Sequence, residues 1–382
     1  MKLLINTSNL YVGGGVQVAL SFINELKNID SENIYYIFLS QAVNKQIIQD
    51  EFDERFHFYL IETSPSKLLT RNKICTQMNE LESNIKPDIV FSIFGPTYWT
   101  PKSKHVMGFA VPWLLSQDSI AYNELKLINR IKMRLWVKYI SFYTKRNTNN
   151  YIIETNDGKE KLSKVLNINL NNIHVVSNTY SSVFNDSRYL DSQHDKYIKL
   201  PKKEDNEFRL LLVSHNHPNK NLKIIKKVLP LLKQHNVKFV LTIQQDDYNL
   251  LFDKENKSII NLGPVSQDSC PSLYTQCDVM FLPTLLEVFS ASYPEAMKMK
   301  KPILTSDLSF ARDVCGDAAL YFNPLDENDI SNKIIQLIQN EKLREELIQD
   351  GLKKLNTFET SKSRAEKYLE ICENIIKKEK NV

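Results

Sequence analysis

Residues 284–304 read TLLEVFSASYPEAMKMKKPIL, with two carboxylates, Glu287 and Glu295, separated by seven residues. An apolar run, VMFLPT (279–284), leads into the stretch, and a second, PILTSD (302–307), follows it. Strand, polar loop, helix and strand in that order make a βαβ unit. The flanking runs are apolar without alternation, as parallel strands are when both faces are covered. The same rhythm extends in both directions. Upstream of it lie FRLLLVS (208–214), KFVLTIQ (238–244) and SIINLGPV (258–265), and downstream ALYFNP (319–324). An earlier series reads KLLINTS (2–8), IYYIFLS (34–40), FHFYLIE (56–62), DIVFSIF (88–94), HVMGFA (105–110), YIIET (151–155) and IHVVSN (173–178). Helical patterns fall between them, among others at 16–26, 73–85, 222–234 and 295–299.

This alternation predicts an α/β chain with two Rossmann-like, doubly wound domains. The polar, charged stretch DSRYLDSQHDKYIKLPKKEDNE (186–207) reads as a linker between them. The expected organisation is therefore a first domain over 1–185, the linker over 186–207, a second domain over 208–361 and a terminal helix over 362–382. Two such domains facing each other leave a cleft at the carboxyl ends of their strands, where these sheets bind ligands.

At 382 residues the chain is long for one domain, and its 42% hydrophobic residues can fill two cores. A net charge of +4 does not make a polycation, so nucleic acid is not an expected partner. The five cysteines, at 75, 270, 277, 315 and 372, are odd in number and form no CxxC pair, which favours a reducing cytoplasm. The start, MKLLINTSNL, turns polar at Asn6 and reads as a strand and not as a signal peptide. No run approaches the roughly 18 apolar residues of a membrane span.

Two readings of the carboxylates stand side by side. In one, Ser292 caps a helix, Glu295 closes a capping box and Glu287 is a solvated loop acid. Pro294 in the first turn agrees with this. In the other, the pair stands at the ligand edge of the sheet. Amides of Ser290 and Ala291 then meet a diphosphate, and Glu295 takes both hydroxyls of a ribose. Glu287 lies nearer the other end of the ligand, about 12 Å away if all the intervening residues are helical.

The segment EVFSASYPE resembles the E-x7-E motif of the retaining glycosyltransferases of family 4, which have the GT-B fold. NLGPVSQDSCPSLYTQCDVMFLPT (261–284) and AMKMKKPILTSDLSFARDVCGDAALYFNPLDENDI (296–330) are similar to the stretches on either side of that motif. IHVVSNTY (173–180) resembles the end of the first domain, and SHNHPNKNL (214–222) the loop that carries a basic residue. The terminal helix is expected to return to the first domain. The resemblance implies that Glu295 holds the nucleotide ribose and that Glu287 lies by the donor sugar. It implies that Phe289, Ser290 and Ala291 offer amides to the donor, and that Lys220 neutralises the departing diphosphate. Gly13, Gly14 and Gly15 match a flexible loop facing the cleft, although a tight strand-to-helix turn accounts for them equally. Val288 and Ser290 stand where the family often has glycine. Ser214 stands where it often has arginine, with His215 or His217 as substitute donors. The stretch 108–119 lacks the family's first-domain histidine, leaving Asp118.

The resemblance thus implies transfer with retention from a nucleotide sugar to a glycan or a polyprenyl-diphosphate-linked acceptor. The setting it implies is bacterial surface polysaccharide (O-antigen or capsule) assembly. No cofactor or metal is expected, since no Asp-x-Asp occurs and Asp246-Asp247 reads as a solvated loop pair. A nucleotide-sugar 2-epimerase of the same fold, or a binding-only relative, would share these residues. Finally, KLINRIKMRLWVKYISFYTKR (126–146) holds seven Lys/Arg and no acid. It reads either as a packed helix with a solvated basic face or as a helix lying on an anionic membrane. The second reading places the protein in the cytoplasm, peripheral at the inner face of the cytoplasmic membrane.

Overall fold

Each apolar run becomes a strand in the computed structural model, which describes residues 1–11, 13–252 and 256–378. The first seven are β1 (Lys2–Asn6), β2 (Ile34–Leu39), β3 (Phe56–Leu60), β4 (Ile89–Gly95), β5 (Lys104–Phe109), β6 (Asn150–Ile153) and β7 (Ile173–Val175). They form one sheet in the order β3-β2-β1-β4-β5-β6-β7, with every pair parallel. Leu4 of β1 lies opposite Tyr36 and Val90. Leu3, Leu4 and Ile5 are all fully buried. Successive side chains point to opposite faces of a strand, so both faces of this sheet are covered.

The remaining strands are β8 (Phe208–Leu212), β9 (Val237–Leu241), β10 (Ile259–Asn261), β11 (Val279–Leu282), β12 (Ile303–Ser306) and β13 (Ala319–Phe322). They build a second parallel sheet in the order β10-β9-β8-β11-β12-β13. The strand order reverses between β8 and β11, so the loops leaving their carboxyl ends are neighbours. That is the position where open α/β sheets hold ligands.

Contacts divide the chain into two units. Met1–Ser116, Ile131–Asn178 and Glu359–Val382 make up the first, and Gln117–Arg130 with Thr179–Phe358 the second. The division at Asn178 falls ahead of the polar stretch 186–207, which packs along the second unit. Leu200 is buried there, its amide donates to Gln276 Oε1 (2.9 Å), and Gln276 Nε2 donates to the Ile198 carbonyl (2.7 Å). The stretch is fastened largely by main-chain groups, which composition does not reveal.

The terminal helix, Ser361–Lys378, packs in the first unit; residues 379–382 of the expected 362–382 element lie outside the described residues. Tyr368 on this helix meets Phe22 of the helix Gly14–Leu26 and Phe91 of β4, with ring centroids 5.3 and 5.0 Å away. Phe22 and Phe91 are themselves 5.5 Å apart, so three edge-on rings close this part of the core. The pattern at 222–234 does not give one α-helix. Ile224–Val228 is α-helical and Leu229–Leu232 tightens to a 3-10 turn. Pro230 is the cause, because it lacks an amide proton and its ring crowds the preceding turn.

Candidate functional site

The loops leaving β8 and β11 are stitched together by one residue. Asn219 donates from Nδ2 to the Leu286 carbonyl (2.7 Å), and its own carbonyl accepts from the Leu285 amide (2.7 Å) and the Thr284 hydroxyl (2.9 Å). Asn221 takes the left-handed conformation, with φ 53°, and donates to the Pro324 carbonyl (2.8 Å). Lys220, between these anchors, donates from Nζ to Glu287 Oε1. Both side chains are largely enclosed, at 15% and 12% exposure. An ammonium carries three donors, so one bond to Glu287 leaves Lys220 able to bond a ligand as well.

Glu295 is buried deeper on the same loop-helix unit. The helix runs Ser292–Lys298 and is preceded by Ala291, with no side chain capping it. The capping box is therefore absent. The helix begins one residue earlier than the box requires, and Glu295 closes the first turn through its amide to the Ala291 carbonyl (3.0 Å). Its side chain faces inward, where Oε2 accepts from the Tyr274 hydroxyl (3.2 Å). Burial raises the Glu295 carboxyl to about 7, against the smaller lowering effect of that Tyr274 bond. Glu287 precedes the helix, so the 12 Å helical spacing to Glu295 is not realised.

Phe289, Ser290 and Ala291 are half-buried between the two acids. Among the described residues, none accepts from the amides of Ser290 or Ala291. Phe289 packs edge-on to Phe358 (6.0 Å). Ser214 joins the adjacent strand through its amide to Thr242 Oγ1 (3.0 Å). His215 is held below its ordinary value, first by burial and then by the charge of Lys220. A neutral imidazole beside an ammonium is a hydrogen-bonding group and a poor replacement for a fixed arginine charge. His217 Nδ1 contacts Asn219 Oδ1. Asp247 is in the first turn of the helix Gln245–Leu251 and not on a loop, and it accepts from Asn216 Nδ2 (2.9 Å), which steadies the Lys220 loop.

Gly14 and Gly15 stand in the first unit at the start of the helix Gly14–Leu26. Gly13 precedes them with φ 75°, a conformation that favours glycine. A Cβ on Gly14 would meet nothing within 4 Å and one on Gly15 only ordinary contacts, so space alone does not demand glycine at these two positions. Asp118 is exposed. Nearby, Ser119 Oγ donates to the Leu285 carbonyl (3.2 Å), which brings residues 117–130 to the second unit's loop. Tyr274, Asn219, Asn216 and Ser119 were not legible as parts of this site, because their contacts span 18 to 166 positions of sequence.

The basic stretch forms one helix, Leu127–Asn147. Val137, Ile140, Thr144 and Asn147 share its buried face. At 3.6 residues per turn, Leu127, Ile128, Ile131, Leu135 and Phe142 fall on the opposite side, and all five are exposed. Arg134, Lys138 and Lys145 flank this stripe along one edge, Lys132 and Arg146 along the other, again exposed. Among the described residues, no helix is long and apolar enough to cross a membrane.

Residues 193–354 match the family described as Glycosyl transferases group 1. Among curated proteins, the chain is similar to the O-antigen chain mannosyltransferase B of Escherichia coli, 32% identical over 97 residues. That match covers 25% of this chain and about a quarter (26%) of the relative. Solved structures align over nearly the whole length. A glycosyltransferase from Rickettsia africae gives a TM-score of 0.70 at 15% identity, covering 98% of each chain. Anabaena Alr3699/HepE, solved in complex with UDP and glucose, gives 0.69 at 13%, covering 98% of this chain and 100% of that one. WaaG, a glycosyltransferase involved in lipopolysaccharide biosynthesis, gives 0.69 at 13%, covering 97% and 99%. The chain thus has the GT-B fold, and its residues 193–354 are similar to the group 1 glycosyl transferases.

Proposed function

We propose that this protein is a retaining, metal-independent glycosyltransferase that moves a sugar from a nucleoside-diphosphate sugar to a glycan or lipid-linked acceptor in bacterial surface polysaccharide assembly. The observation that carries this reading is the Lys220–Glu287 pair at the switch point of the second sheet, followed within four residues of sequence by the amides of Ser290 and Ala291, which bond none of the described residues. As the sugar departs, negative charge grows on the diphosphate. Lys220 and the two amides are fixed before the reaction, so stabilising that charge needs no reorganisation. Glu295 supplies acceptors to the ribose hydroxyls, and Glu287 orients Lys220 and borders the sugar. Retention follows the family resemblance: the acceptor attacks the face from which the phosphate leaves, and the leaving phosphate takes the acceptor proton. No side chain is assigned as a nucleophile.

A panel of nucleotide sugars, read first by ligand-induced melting shift and then by acceptor-dependent release of nucleoside diphosphate, tests this reading. Activity is expected to survive excess chelator, and the product anomer, read by NMR, to match the donor. Release of nucleotide only after manganese is added, or an inverted product, would overturn the corresponding part.

The two-faced helix Leu127–Asn147 supports a membrane-surface location, with the apolar stripe in the headgroups and the flanking cations on anionic lipid. Each such cation contributes about 1 kcal/mol. Replacing Lys132, Arg134, Lys138 and Lys145 with serine should therefore weaken binding to anionic vesicles about a thousandfold. Activity on a short water-soluble acceptor should be unchanged. Equal flotation of variant and parent would leave the stripe without a membrane role.

A further inference from the structure

Leu68 and Leu69 are 73% and 102% exposed, on the loop between β3 and the helix Arg71–Ile85. A pair of adjacent leucines so fully in water needs a reason, since scattered single exposures are ordinary but a fixed apolar tip is not. This tip is fixed. The Arg71 guanidinium donates to the Pro65 carbonyl (2.7 Å), the Ser66 carbonyl (2.9 Å) and the Tyr143 hydroxyl (2.7 Å). It also lies over the rings of Tyr98, Tyr139 and Tyr143, at 4.9, 5.8 and 5.0 Å. The Tyr11 hydroxyl holds Ser66 Oγ (2.7 Å), and the Thr70 amide closes a turn onto the Lys67 carbonyl (3.3 Å). Tyr139 and Tyr143 belong to the helix Leu127–Asn147, so Arg71 clamps the loop to the edge of that helix.

The charge of the surroundings indicates what covers the leucines. Lys67 and Lys73 are exposed on either side of the leucines, the nearest acids in sequence are Glu62 and Glu80, and the neighbouring stretch 126–146 holds seven Lys/Arg and no acid. An apolar tip flanked by exposed lysines and by that basic helix suits an anionic bilayer. A second copy of this chain would bring cations against cations. We propose that the loop at residues 67–69 is a second membrane anchor, inserting Leu68 and Leu69 into anionic lipid beside the helix Leu127–Asn147. This rests on the membrane-surface reading of that helix and adds to it a different kind of contact. The helix binds in part through screened charge, whereas the leucines bind by burial, which salt does not weaken. The clamp on Arg71 means that little loop freedom is lost on insertion.

The test is co-flotation of the full chain with vesicles of phosphatidylcholine and phosphatidylglycerol across a salt series. The L68S/L69S variant should melt with the parent, bind vesicles about a hundredfold more weakly or worse, and lose the binding that the parent keeps at high salt. As a second measurement, L69W in a W136F background should be quenched by brominated lipid. If the parent floats and L68S/L69S floats equally, or residue 69 stays unquenched, the loop is no anchor while the helix reading stands. If the parent never floats, both fall. If the parent is a dimer that L68S/L69S dissolves, with vesicle binding intact, the tip is a contact between copies and the inference is wrong.

Discussion

Lys220→Ala is expected to reduce kcat by about a hundred- to a thousandfold at saturating donor, the usual cost of removing one fixed donor aimed at charge that develops in the transition state. The same change should destabilise the second unit. Lys220 and Glu287 are enclosed together, and deleting one partner leaves the other charge buried and unpaired, at a cost of about 3 kcal/mol. The two effects separate in a double variant. Lys220→Met with Glu287→Gln restores a neutral pair of similar volume, so most of the stability should return while turnover stays low. Denaturant unfolding and donor turnover on the two variants and the parent check this. A Lys220→Ala enzyme that turns over within tenfold of the parent would reduce Lys220 to a structural counter-ion for Glu287.

Glu295→Gln should move stability and donor affinity in opposite directions. Burial lifts the Glu295 carboxyl from an ordinary 4.5 to about 7 in the native state. Between those values the native state holds a proton that the unfolded chain has lost. Stability from this group is therefore fully present below pH 4.5 and falls as pH rises towards 7, by about 3 kcal/mol in all. The glutamine variant lacks this penalty and should be the more stable protein at pH 8, with a flatter stability profile. Its donor affinity should drop about ten- to a hundredfold, because ribose hydroxyls bond a carboxylate more strongly than an amide. In the parent, the donor selects the ionised carboxylate. Affinity should thus climb about tenfold per pH unit up to pH 7 and then level off. Calorimetry in buffers of different ionisation heat would register the released proton. A parent whose donor affinity ignores pH across this range would remove Glu295 from the ribose site.

The strands were legible because parallel strands covered on both faces have to be apolar at consecutive positions, as Leu3, Leu4 and Ile5 are. Their arrangement in two parallel, doubly wound sheets was implied by the βαβ rhythm. In the site, Glu287 was nominated by its place after a strand and by resemblance, and Lys220 by resemblance alone. Their meeting was not legible, because it depends on Asn219 joining two loops far apart in the chain. Of the two readings of this stretch, the one with Ser292 as a cap rested on Ser-x-x-Glu satisfying a local rule, and the structure lacks that cap. A buried partner for the Glu295 side chain, Tyr274, belongs instead to a helix that starts at Cys270. Helix 222–234 broke at Pro230, a residue visible in the sequence whose consequence the periodic pattern concealed.

The terminal helix has a consequence for synthesis. The helix Gly14–Leu26 and β4 emerge early, yet Tyr368, which covers Phe22 and Phe91, is made only after the whole of the second unit. Tyr368 follows Phe91 by 277 positions. At about 5–20 residues per second, the first unit waits for roughly half a minute with this aromatic face uncovered. The second unit lies entirely within that interval, so the part of the protein translated first is the part completed last. A nascent chain of this protein carries an uncovered Phe22–Phe91 surface until Tyr368 has been made. Truncating the chain before residue 361 would make that exposure permanent.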